Sequence, residues 1–465
     1  MFFLKKVIAR HASSGWINFL GGTQYVFLFS ILYALIIGLL FYPGLVYTDS
    51  IFRWQTAISI ADHGLSVLSR KPDHHPIFPM LWMALSYKIT GEIGLFTIIQ
   101  AIAFSISFFF LVRHFSPNFS GNLVASLILL IPINETYSVF VSYDTLFAVQ
   151  IAFLYLLLLN RWRSRVVLIP MVVAAAIGTR LNALLILPAV FFILYLQRDD
   201  FKRGRLLLTN SLCLALVAVV LSLPMMLGMT RGNSFLIGTA WEYANMATKT
   251  NDKRDADFLK SFGVSANELK NGICYDGIWC GHEYDLFISK VPNHRSPELL
   301  ERYVSIALHH PGVFFPEKLK YIKSLMGIGR DGITNFEIGR WRESNWAELM
   351  KTIGFETSAS KENFIDRYFR FSEHAGKILF MPWLIFPLLT ILAWHLSKWD
   401  KKLLSLTTLP FVYYGSFFLT SQNHEFRYFF PVAFLFLAYF SACVAIWINQ
   451  CFRVEEKANS DTYRG

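Results

Sequence analysis

The chain has 465 residues, of which 54% are hydrophobic and 16% aromatic, and it carries a net charge of +11. Its mean hydropathy of +0.42 is too apolar for a soluble domain, and several runs approach the ~20 residues that span a hydrocarbon core. The basic residues cluster in short segments between apolar runs, as membrane topology demands, which argues against nucleic acid as a partner. Five cysteines are few for a disulfide scaffold, and Cys213, Cys443 and Cys451 lie in or beside apolar runs, where a small buried hydrophobe is expected.

Lys5, Lys6 and Arg10 precede an apolar run over 24–42 with no evident cleavage signal, so a retained first helix with a cytoplasmic N-terminus is expected. Its exit near Pro43 opens a first outer loop over 44–75. Residues 51–68 mix apolar and polar side chains at helical spacing, which predicts helices lying along the membrane surface, and a second interfacial helix is expected over 76–89. Spans follow over 92–112, 120–133 and 145–160, the last returning to Arg161, Arg163 and Arg165. Two short spans over 166–196 break at Gly178-Thr179-Arg180-Leu181-Asn182. An arginine at that depth should face protein or ligand. A further span over 206–227 leads outward.

Residues 228–378 change to charged, soluble-like composition and are long enough for a small extracytoplasmic domain. Cys274 and Cys280 fall in it, and their spacer can close a disulfide in an oxidising compartment; two unpaired thiols are the alternative. Spans over 379–396, 403–420 and 429–449 complete the chain. The expected fold is therefore an all-α polytopic membrane protein of about ten spans with both termini cytoplasmic. Its units are a transmembrane module 1–227, a mixed extracytoplasmic domain 228–378 and C-terminal helices 379–465.

This alternation puts Asp49, Asp73-His74-His75, Glu135, Asp144, Arg180 and His424-Glu425-Arg427 on one outer face. Polar groups at a bilayer are costly unless they bind something. A carboxylate there can take a proton from an acceptor hydroxyl, and arginine is a permanent, planar partner for phosphate. A structural reading stands beside each residue. Asp49 and Asp144 suit N-caps, the histidines suit an interface, Arg180 could pair with Glu135, and Arg427 with Glu425. The Trp and Phe stripes read as lipid-facing surface.

Tyr42-Pro43-Gly44, Thr48-Asp49-Ser50, Gln55 and His74-His75-Pro76 together resemble the first loop of the GT-C superfamily of polyprenyl-phosphate-sugar glycosyltransferases. Tyr143-Asp144-Thr145-Leu146-Phe147 resembles its second acidic motif. Arg180-Leu181-Asn182 resembles an Arg-x-Asn element, and Arg427-Tyr428-Phe429-Phe430-Pro431 the Arg-Tyr-x-x-Pro that opens a late helix. The likeness covers the first 200 residues and the last 50. Asp-Ser in place of Asp-Glu argues against the protein mannosyltransferase branch, and the outer domain gives some likeness to serotype-converting glucosyltransferases.

The resemblance implies Asp49 as general base and Asp144 as a second acid that orients the acceptor or holds a metal. Gln55, His74, His75, Arg180, Asn182 and Arg427 would bind substrate. Asp49, His75 and Asp144 would be the ligands of any divalent ion. The implied activity is inverting transfer of a hexose, glucose favoured, from undecaprenyl phosphate to O-antigen lipopolysaccharide or another surface glycan at the bacterial inner membrane. A lipid-linked-sugar flippase, an O-antigen polymerase or ligase, and a membrane-anchored structural or binding module are the competing expectations.

Overall fold

A computed structural model describes residues 14–45, 48–69, 71, 76–230, 234–250, 252–264, 269, 295–328, 367–368, 379–420 and 426–462; the side chains of 14–17, 48–49, 234–238, 241, 420 and 452–462 are not described. Among these residues every element is helical, save one isolated parallel bridge between Leu45 and Phe140. The first helices are Ser14–Gly21 (α1), Thr23–Leu40 (α2), Thr48–His63 (α3), Ile77–Thr90 (α4) and Gly94–Phe115 (α5). Phe119–Leu129 (α6), Pro132–Ser138 (α7), Tyr143–Leu159 (α8), Arg165–Thr179 (α9), Ile186–Leu196 (α10) and Arg203–Met226 (α11) follow. Ser234–Thr250 (α12), Lys253–Lys260 (α13), Ser296–His309 (α14) and Pro311–Leu325 (α15) are the helices among the described residues of 228–378. Pro382–Leu396 (α16), Lys402–Leu406 (α17), Thr408–Thr420 (α18) and Phe426–Thr462 (α19) end the chain.

Several helices are long and apolar enough for a membrane protein: α2, α5, α11 and the Phe426–Cys451 part of α19. Helices α6 and α7 make a fifth span if counted together across their 77° bend. Among the described residues the expectation of ten spans is not reached by helix length and composition. Helices such as α8, α9 and α16 have 15 to 17 residues, and at ~1.5 Å per residue each is short of a ~30 Å hydrocarbon core. The run expected as one span over 120–133 is interrupted because Pro132 supplies no N–H and holds Ile131 in extended conformation (φ −71°, ψ 134°). Within 228–378 the described elements are helices, and more than half of that stretch lies outside the described residues, so the expectation of a mixed domain is not decided there.

Helices α5 and α19 form the centre, packed on each other and on α8, while α2 and α11 keep most of their apolar surface outward. A second, smaller core joins α3 to α4. Ile51, Trp54, Ala57 and Ile60 follow helical spacing along α3 and meet Ile77, Met80, Met83 and Ala84. Burying each large side chain there contributes about 1.5–3 kcal/mol, which holds the two helices as a pair.

Backbone contacts then fix where that pair sits. The Leu45 amide donates to the Val139 carbonyl at 3.0 Å, and the Val141 amide to the Leu45 carbonyl at 2.7 Å. Gln100 of α5 donates its side-chain amide to the Ser138 and Phe140 carbonyls at 3.1 and 2.8 Å. Ser50 donates its hydroxyl to the Val141 carbonyl. Gly44 has φ +133°, and a Cβ there would lie 2.5 Å from the Thr97 methyl, so glycine is required at this close approach. The loop after α2 is thereby stitched to the segment entering α8.

Candidate functional site

That stitched segment delivers Ser142, Tyr143 and Asp144. The cap of α8 is Ser142, not Asp144: its hydroxyl oxygen accepts from the Asp144 amide at 3.1 Å and donates to the Asp144 carboxylate at 2.7 Å. Asp144 occupies the first turn, where the positive end of the helix favours an anion. It is fully buried, at 0% exposure.

Arg180 comes from the break between α9 and α10. The chain is extended there (φ −153°, ψ 114°), and a 3₁₀ turn over Leu181–Leu185 follows. Its amide closes α9 on the Ala176 carbonyl at 2.9 Å. Arg180 is 5% exposed, and its guanidinium forms an ion pair with the Asp144 carboxylate. The alternative partner, Glu135, is instead hydrogen-bonded by the Tyr368 hydroxyl. A buried arginine with no counter-charge would be costly, and the Asp144 carboxylate offsets part of that penalty.

Aromatic rings surround the pair. The Arg180 guanidinium carbon lies 4.9 Å from the ring centres of Tyr143, Phe417 and Tyr428, and 5.9 Å from that of Tyr413. Phe417 and Tyr428 stack at 4.8 Å. Faces of such rings are electron-rich and attract cations. Two further guanidinium groups share this collar. Arg53, 1% exposed, stands 4.0 Å over Tyr143, and Arg427, also buried, stands 5.2 Å from Tyr428. Five chain segments thus meet at one place: α3, the start of α8, the α9–α10 break, α18 and the start of α19.

Of the residues singled out from sequence, Asp144, Arg180 and Arg427 are brought together. Asp49 lies in the first turn of α3, one turn before Arg53, and its side chain is outside the described residues. His74, His75, Cys274 and Cys280 lie outside them altogether. Gln55 is half-buried, two residues beyond Arg53 and so on another side of α3, and Asn182 is half-buried in the turn after Arg180. Among the described residues no three His, Cys, Asp or Glu side chains converge as metal ligands. Asp144, one of the three candidate ligands, is engaged by Arg180 and Ser142.

Sequence reasoning missed Arg53, Tyr413 and Phe417, and gave Tyr143 and Tyr428 no role although both stand in the quoted motifs. Arg53 carried a readable signal, a cation one turn after Asp49 on the inward face of a surface helix. Tyr413 and Phe417 carried none, because aromatic residues fill the lipid-facing runs as well.

No protein-family model matches the chain, and no curated protein matches it.

Proposed function

We propose that the protein is an inverting glycosyltransferase of the bacterial inner membrane, taking a hexose from an undecaprenyl-phosphate donor to an extracytoplasmic glycan or lipid-linked acceptor. The observation that carries this reading is the meeting of Arg53, Arg180 and Arg427 with the Asp144 carboxylate around shared rings. A buried group of guanidiniums preorganised by a carboxylate and ring faces is suited to a phosphate whose charge grows as the sugar leaves. The buried Arg180 Nε has no hydrogen-bond acceptor among the described residues, which leaves a donor for a phosphate oxygen.

In this scheme Asp49 takes the proton of the acceptor hydroxyl. The acceptor oxygen attacks the anomeric carbon from the face opposite the leaving group. The bond from that carbon to the phosphate oxygen breaks, and polyprenyl phosphate departs with the electron pair beside the arginines. Asp144 holds Arg180 in place and takes no proton, a narrower role than that of an acceptor-orienting acid. Ten spans, cytoplasmic termini and an outward-facing site belong to the same proposal.

The test is transfer from a labelled polyprenyl-phosphate hexose in membranes carrying the full-length chain. Loss of general base catalysis in Asp49→Asn should lower the rate by about 10²–10⁴-fold with the protein present at normal level. Retained transfer in that variant would sink the mechanism. Unchanged surface polysaccharide in cells lacking the protein would sink the enzyme reading itself.

A further inference from the structure

Helices α14 and α15 present an apolar surface that the site does not use. On α14, Leu299 and Ile306 turn inward to a small core with Tyr243, Ala247 and Phe258. The opposite side carries Leu300, Val304 and Leu308 four residues apart, all exposed, Leu308 at 71%. On α15, Tyr321 and Leu325 are buried, while Phe315, at 65%, and Leu319 are exposed. Single exposed apolar residues are ordinary, but five large ones at four-residue spacing on the outward sides of two successive helices, with exposed Glu301 beside them on α14, call for a contact.

The occupant is indicated by where the hairpin is fastened. Tyr414 of α18 donates its hydroxyl to the Leu325 carbonyl at 2.5 Å, and the Trp383 amide at the start of α16 donates to the Met326 carbonyl at 3.1 Å. Tyr321 and Leu325 belong to the same core as α16, α18 and α19. The end of α15 is therefore locked among apolar helices. At the join Ile328, Leu379 and Trp383 are exposed, so the apolar surface continues onto α16, where Ile391 and Trp394 also face out. Tryptophan at a helix end suits the membrane–water boundary. Exposed Lys323 lies one turn after Leu319, and a lysine stem can lie on acyl chains while its ammonium group reaches headgroups.

We propose that the α14–α15 hairpin is a monotopic element, lying in one leaflet of the bilayer with Leu300, Val304, Leu308, Phe315 and Leu319 among lipid acyl chains. The unit over 228–378 is then seated on the membrane by its own side chains as well as by its links to α11 and α16. This does not depend on the catalytic reading and holds whatever the protein transfers or binds.

The experiment uses the full-length protein in phosphatidylcholine vesicles, with single nitroxide labels placed through Leu308→Cys, Phe315→Cys and Leu319→Cys in turn, and a control through Lys260→Cys on exposed α13. The natural cysteines are replaced by serine or alanine, and each variant is checked for an unchanged unfolding midpoint. Accessibility is read from spin relaxation by oxygen, which concentrates in lipid, and by a nickel chelate, which stays in water. The expected result is high oxygen and low nickel accessibility at the three hairpin sites, with the reverse at the control. High nickel accessibility at the hairpin sites overturns the proposal by showing a water-facing surface. Low accessibility to both reagents also overturns it, because the face is then covered by protein, whether another segment of this chain or a second copy.

Discussion

Replacing Asp144 by asparagine separates the structural from the chemical content of the site. The carboxylate is buried with Arg180 on one side and the Ser142 hydroxyl on the other. Asparagine keeps the shape and can still accept from Ser142, so the change removes one charge and little else. Breaking a buried pair by removing one partner typically costs about 3–5 kcal/mol, because the remaining charge is uncompensated. The ring faces around Arg180 offset part of this, by about 1–2 kcal/mol if they act as a desolvated cation–π site. The expected destabilisation is therefore about 1–4 kcal/mol, measured by denaturant unfolding of the purified protein in detergent. Arg180→Met alone should cost a similar amount. The double variant should recover most of the loss, giving a coupling energy of at least about 1 kcal/mol in the cycle. Transfer activity should not recover with it, since the guanidinium proposed to meet the phosphate is gone. A coupling energy near zero, or an Asp144→Asn variant as stable as the parent, would refute the claim that these two side chains form one buried unit.

Two further outcomes follow from other parts of the fold. A Cβ on Gly121 would lie 1.9 Å from the Ser116 carbonyl oxygen, backbone that cannot swing aside, so Gly121→Ala should cost about 1–3 kcal/mol by overpacking; an unchanged unfolding midpoint would show that the α5–α6 turn yields. Acid stability should depend on Asp252 and Glu317. Hydrogen bonds from Arg254 lower Asp252 to about 2. At Glu317 burial pushes upward but is outweighed by Lys249 and Lys320, leaving it below the usual carboxylate value. Both titrate lower folded than unfolded, so the stability they lend is complete above the ordinary carboxylate range and is lost as pH falls through their folded values. Glu242 has the opposite sign: burial raises it despite Lys318, and it opposes folding as pH rises through that range. The double variant Asp252→Asn, Glu317→Gln should flatten the acid limb of the unfolding midpoint against pH, and Glu242→Gln should steepen the net rise of stability with pH. An acid limb unchanged in the double variant would remove these carboxylates from the account.

Much of this was legible in one dimension. Apolar run length and the spacing of basic segments are local properties, and they predicted helices, a membrane setting and nearly every helix position from α2 to α11. The break at Arg180 was legible too, since a buried arginine between two short apolar runs has to end one helix and meet a partner. The extent of single spans was less so. Pro132 divides an apolar run in two, and Thr407 separates α17 from α18, because helix continuity depends on backbone donors and packing that hydropathy ignores.

The sequence by itself determined that Asp144, Arg180 and Arg427 are charges held where charges are costly. Only the tertiary structure decided that Arg180 pairs with Asp144 and leaves Glu135 to Tyr368. It also decided that Arg53 joins the cluster through Tyr143, and that Tyr413, Phe417 and Tyr428 enclose a cation. The physical reason is that a buried charge announces only its need for a partner. Which partner meets it depends on helix ends brought together by packing across long stretches of chain, and an aromatic ring has the same composition whether it faces lipid or an arginine.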